Sequence, residues 1–276
     1  MTATTAVPET RTRDLRDHYG FSDLARMEWI KLRTLRSTGW GFGILAVSMV
    51  GFAVLVNALL SAHWAHMSAG DRATFDPTNQ AFTGLIIGQL VMGVLGVLTV
   101  TSEFSSGLVR ATFAAAPRRP LVLAAKVAVF GGAALLAGEV LAFITFFAGE
   151  LVLGHGVPHV TLATPGVARA VLMAGGYVAL TGLFGVGLGA IIRRTAGGIA
   201  AAAGLIFVIP FLTLPLPESL RDSISKFLPE QIAASSITAV KPEAHTLSPG
   251  LGFAVLCLYA VVLLGAGAYT LAKRDV

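Results

Sequence analysis

The sequence predicts an all-α integral membrane protein. It has six transmembrane helices, an N-terminal amphipathic helix at the membrane interface, and a short cytoplasmic helix between the second and third spans. Three observations carry this prediction. The 276 residues are 55% hydrophobic and only 13% charged, with mean hydropathy +0.76, whereas about a quarter of a soluble domain is charged. Six apolar runs each approach the ~20 residues that a helix needs to cross a bilayer. These runs are continuous rather than alternating, which selects helices over a barrel, since lipid offers no partners to backbone N–H and C=O groups. The one cysteine, Cys257, excludes an internal disulfide. The net charge of +5 is read as an orientation signal rather than as a nucleic-acid site.

Residues 1–20 are polar and mixed in charge and read as a disordered cytoplasmic tail, leaving 21–276 as one six-span domain. The first apolar run starts only near Gly41, without a small-residue cleavage site close behind it, so no secretory signal is expected. Phe21–Arg36 has helical periodicity: Phe21, Leu24, Ala25, Leu32 and Leu35 share a face, Trp29 sits at its edge, and Asp23, Arg26 and Arg33 lie opposite. A basic helix with Trp just before a span belongs in the headgroup plane. Glu28 interrupts the apolar face. The preferred explanation is local pairing with Lys31 or Arg36; the alternative is a fixed contact to a distant part of the chain.

The spans are placed at Gly41–Ala62, Ala81–Val100, Lys126–Leu153, Ala168–Ile192, Ala196–Leu214 and Gly250–Ala272, with Arg193, Arg194 and Thr195 as a tight turn between the fourth and fifth. An even number of spans puts both termini on one side. With that threading, 15 of the 20 Lys and Arg fall on the terminal side and 5, including Arg72, Arg169 and Lys241, on the other. The positive-inside rule then makes the terminal side cytoplasmic, in the cytoplasmic membrane of the cell. On the outer side, Leu220, Ile224, Phe227 and Leu228 recur at helical spacing between Pro217 and Pro229. They predict a short interfacial or re-entrant helix, with a second around Ile232–Val240.

Motifs for chemistry are scarce. There is no GxxxxGK[ST] phosphate loop, GxSxG elbow, HExxH helix or CxxC pair, so neither a cofactor nor a catalytic site is expected. Five of six histidines fall outside: His63, His66, His155, His159 and His245. Gly156 and Pro158 separate two of them and no cysteine completes a ligand pattern, so no metal is assigned. Glu139, in mid-span, either lines a substrate or proton path or holds helices together. Glu150 is read as structural, and Asn57 and Gln89 as interhelical hydrogen bonds. The GxxxG pairs Gly84/Gly88 and Gly185/Gly189 indicate close packing and hint at a dimer face.

The most informative stretch is Thr101–Lys126, TSEFSSGLVRATFAAAPRRPLVLAAK. Phe104, Leu108, Ala111 and Ala115 fall at helical spacing, Glu103 suits the N-terminal dipole, and Pro117 stops the helix before Arg118 and Arg119. A passive loop requires neither helical order nor a sharp stop.

Here the chain resembles the membrane subunits of ABC-2 type transporters, the small six-span permeases common in actinobacteria. The resemblance rests on MEWIKLRTLRSTGW (Met27–Trp40) as a basic pre-span helix and on Glu103, Gly107, the Pro117-Arg118-Arg119 turn and Lys126 after the second span. The Arg193–Thr195 turn and the Lys273-Arg274-Asp275 end also fit. Thr112-Phe113-Ala114 departs from the bulkier apolar stretch usual there. What the resemblance implies is a permease that pairs with a second copy or a paralogue. Each copy would dock a separate ATPase through a coupling helix over Glu103–Ala116, with Glu103, Phe104, Gly107, Leu108, Arg110, Pro117, Arg118 and Arg119 as its functional positions. Glu28, Trp29, Lys31 and Arg36 would mark the flanking interfacial helix, and Glu139 the candidate pathway. The spans carry few charges, so a hydrophobic or amphipathic cargo is expected: a drug, antibiotic, peptide or lipid. A non-transporting scaffold, immunity or sensor protein, and an intramembrane enzyme using Glu139, are the competing readings.

Overall fold

A computed structural model describes residues 19–239 and 246–274. The tail before Tyr19, together with Val240, Lys241, His245 and Asp275, lies outside the described residues. Among those described every regular element is helical, and six helices are long and apolar enough to cross a membrane.

The pre-span helix α1 (Phe21–Thr34) ends at Leu35, whose extended backbone bends the chain into α2 (Arg36–His63). Two short helices, α3 (Ala69–Thr74) and α4 (Pro77–Ala81), are capped by Ser68 and Asp76 and lead to the second span, α5 (Leu85–Ser105). After an elbow containing α6 (Leu108–Ala115) come the third span α7 (Arg119–Val152) and the fourth, α8 (Val167–Ile192). The fifth span consists of α9 (Thr195–Ala203), a π-helical turn over Gly204–Val208, and α10 (Ile209–Thr213). The segment expected to lie outside forms α11 (Glu218–Ser225), where the periodicity predicts it, and α12 (Pro229–Ile237), which starts three residues before the expected Ile232, ahead of the last span α13 (Pro249–Lys273).

The helix α8 is the centre of the bundle and packs on α5, α7 and α13. Its small residues allow this. A Cβ on Gly185 would lie 2.1 Å from the Gly93 carbonyl oxygen, and one on Gly96 only 1.9 Å from that of Gly182. Only hydrogen fits at these crossings, so the backbones of α5 and α8 meet directly. Gly84 and Gly88 likewise face Met49 of α2. Both GxxxG pairs are therefore consumed inside one chain, which corrects the hint of a dimer face. Large residues such as Leu136, Leu151, Phe211 and Val261 point outward from the bundle, as lipid-facing side chains do.

Interhelical polar contacts stand where the sequence puts them. Tyr177 of α8 donates to Gln89 of α5, and Asn57 donates to the Gln80 carbonyl. Glu150 accepts from His159 Nδ1 (3.2 Å) and from the Val160 amide (3.3 Å), tying the end of α7 to the following loop.

Candidate functional site

The elbow differs from its expected form in a way that moves the functional residues. One helix is expected over 103–116; the chain instead divides it. Glu103 and Phe104 belong to the last turn of α5, and Gly107, at φ +74, breaks the rod. A left-handed residue there is inexpensive only for glycine. The helix α6 then turns Val109, Thr112 and Phe113 inward and leaves Leu108, Arg110, Ala111, Ala114 and Ala115 exposed. Pro117 follows, the Arg118 amide donates to the Tyr19 hydroxyl (3.1 Å), and Pro120 sits in the first turn of α7.

Span boundaries shift accordingly. The helix α5 continues to Ser105 rather than Val100, and α7 begins at Arg119 rather than Lys126. Glu103 and Lys126 thus stand on rigid helices, and both are buried. Lys126 Nζ lies 2.5 Å from Glu28 Oε2 and 2.8 Å from Glu103 Oε1; Lys31 Nζ lies 2.9 Å from Glu28 Oε1 and 2.9 Å from Glu103 Oε1. Two acids and two bases form a closed ring in which each acid touches both bases. Glu28, Glu103 and Lys126 are 4%, 9% and 6% exposed. Burial works to lower the Lys31 pKa, but Glu28 and Glu103 outweigh it and hold the ammonium above its ordinary value.

This quartet joins three elements: α1, the end of α5 and the start of α7. Glu28 is therefore a long-range anchor as well as a local partner of Lys31, which corrects the preference for purely local pairing. The expected apolar face of α1 is divided. Leu24 packs with Ala116, Val122 and Ala125, so the middle of that face lies on protein, whereas Phe21 and Leu35 at its two ends stay exposed, as do Trp29 and Ile30. Among the described residues no hydrogen bond or ion pair joins the Arg36, Trp29 or Arg118 side chain to the quartet. Each quartet charge looks out of place beside apolar neighbours, and that was the available signal. Lys31 meets Glu28 three residues away, but the other three contacts join residues 23 to 98 apart, beyond any periodicity.

Two arginines clamp the end of α13 beside the elbow. Arg119 Nη1 donates to the carbonyls of Leu271 (3.2 Å) and Arg274 (3.1 Å), and Arg193 Nη2 to that of Thr270 (2.7 Å). These carbonyls stand in and just after the last turn of α13, at a helix C-terminus where positive charge is favourable. Burial, then the nearby Arg274 and Arg119, lowers the Arg193 pKa. Arg193 also covers the Phe104 ring at 5.4 Å, so Phe104 is not a free knob for a partner, and Arg119 covers Phe113 at 5.3 Å. The Arg193 backbone is left-handed (φ +61), an uncommon conformation for a side-chain-bearing residue.

Glu139 sits far from this cluster, midway along α7. Its Oε2 is buried without a hydrogen-bond partner among the described residues, against Gly175 of α8, where an added Cβ would meet the Glu139 carboxyl carbon at 2.6 Å. No group of three or more metal-ligating side chains occurs among the described residues. No protein-family model matches the sequence, and no curated protein shows significant similarity to it.

Proposed function

We propose that the chain is the membrane subunit of an ABC-2 type transporter. It moves a hydrophobic or amphipathic compound across the cytoplasmic membrane with energy from a separate ATPase subunit, and pairs with a second copy or a paralogue as the family resemblance implies. The observation that carries this reading is the elbow. The helix α6 presents Leu108, Arg110, Ala111, Ala114 and Ala115 outward while its base is anchored to α1, α5, α7 and α13 through ionised groups. Exposed apolar surface on the aqueous side of a membrane is costly and marks a partner site. A push on α6 would pass into two spans through the quartet and into a third through Arg119, because buried ion pairs resist separation. Bound nucleotide drives such a change only by favouring one state, and the ATPase would supply that bias.

The test is purification of the tagged chain from its native membrane, followed by mass spectrometry for a co-recovered protein bearing a phosphate-loop motif. Wild type should bring such a protein down. Leu108→Asp, on an exposed face, should insert normally and lower its recovery about tenfold. Undiminished recovery with Leu108→Asp would make the elbow a passive connection. Absence of any ATPase with wild type would favour the scaffold or sensor reading.

A further inference from the structure

Beside the quartet lies a groove of about 430 Å³ between the α1–α2 bend, α5, α6 and α7. That volume falls within the range of ~300–1,000 Å³ for ligand cavities. Its two ends differ chemically. Leu95, Leu98, Val129 and Phe130 form the deep wall. At the mouth stand the hydroxyls of Thr34, Ser37, Thr38, Ser102 and Ser106, beside the quartet. Leu95 precedes Glu103 by eight residues on one straight helix, so the apolar end lies about 12 Å deeper at 1.5 Å per residue. Polar and apolar ends are therefore stacked along the spans, in the sense of a lipid of the basic-side leaflet. Trp29 and Trp40, exposed on α1 and α2, flank the bend and mark the depth of the headgroups.

From this arrangement we infer that the groove is a binding site for one membrane phospholipid with a zwitterionic head, one acyl chain lying along Leu98 and Val129. Charge complementarity selects the head. The four ionised groups cancel pairwise and are already joined to one another, so the mouth offers no net charge to a free anion. The Thr34 and Ser106 hydroxyls already donate to the carbonyls of Ile30 (2.7 Å) and Ser102 (2.8 Å), which leaves the hydroxyls of Ser37, Thr38 and Ser102 to donate to the phosphate of a head. An occupant would touch Leu108 and Ser106 of the elbow and the α1–α2 bend together, so its presence sets their spacing. The site needs no ATPase, and its test stands apart from the transport reading.

The experiment reconstitutes the full chain in nanodiscs of phosphatidylcholine doped with a phosphatidylcholine probe carrying a diazirine within one acyl chain. Photolysis is followed by mass spectrometry of the labelled peptides. Label should concentrate at Leu98 and Val129 at least five-fold over Leu136, which faces bulk lipid from the same α7. Leu98→Trp and Val129→Trp should each cut groove labelling about five-fold and leave Leu136 unchanged. They stand on different helices, so failure of one to fold leaves the other as the test. The matching phosphatidylglycerol probe should label the groove several-fold less. Labelling equal to that at Leu136, or indifferent to both Trp variants, would overturn the site; equal labelling by the anionic probe would overturn the head-group assignment.

Discussion

Lys126→Met tests whether the quartet binds the elbow to the bundle. The substitution keeps the side-chain volume and removes one of two bases. Glu28 Oε2 then loses its 2.5 Å partner, and both carboxylates must share Lys31. Breaking a buried ion pair by removing one member costs about 3–5 kcal/mol. At roughly 2–4 °C per kcal/mol, as for domains of 150–250 residues, the unfolding midpoint should fall by about 6–20 °C. Adding Glu28→Leu restores neutrality, leaving Lys31 with Glu103, and should recover at least half of that loss. Glu218→Ala is the control: its pair with Arg221 is 3.7 Å apart, with Glu218 85% exposed, and the midpoint should stay put. Alkali gives a second arm. The Lys31 pKa is raised in the fold above its ordinary 10.5. Its contribution is thus complete below about pH 10.5 and lost as pH rises through the raised value, and Lys31→Met should flatten that alkaline fall. The assay is thermal unfolding of purified protein in detergent, followed by loss of the monodisperse size-exclusion peak. A Lys126→Met shift under about 2 °C, or additive losses in the double variant, would show that the quartet does not act as a unit and refute the reasoning.

The orientation is tested with single cysteines, after replacing Cys257, at three exposed positions: Ser68 and Ser248 should react with an impermeant thiol reagent in whole cells, and Ser105 only after lysis. Labelling of Ser105 from outside would invert the molecule and remove the elbow from the ATPase side. Glu139→Met should raise the unfolding midpoint by a few degrees, since it removes a buried oxygen that has no partner among the described residues, a burden of about 1–3 kcal/mol. It should also impair transport if Glu139 lines the path; a lowered midpoint would mean that the carboxyl holds α7 to α8.

Much of this protein was legible in one dimension because the bilayer imposes one-dimensional rules. Length and hydropathy locate six spans, since lipid demands continuous apolar helix. The outer helices were readable from Pro217, Pro229 and the periodicity between them. Glu150, Asn57 and Gln89 were assigned correctly as polar groups that hold segments together. Span ends were not readable: hydropathy stops at the first charge, whereas a helix continues wherever a charge finds a partner. That is why Glu103 stands in the last turn of α5 rather than at the start of the elbow helix, and Lys126 lies two turns inside α7 rather than at its first residue.

Length, hydropathy and the order of charges are enough to give six helices long and apolar enough to cross a membrane, a bias of Lys and Arg toward one end, and a breaker-bounded elbow between the second and third. What the charges at that end do is set by the packing. Glu28 meets Lys126 across 98 residues, and Arg119 and Arg193 close on the carbonyls of α13 across 152 and 77. Periodicity reports which residues share a face of their own helix. Which faces then meet is set by the packing of α8 against its neighbours, and a buried charge is stable only where that packing brings its opposite within about 3 Å.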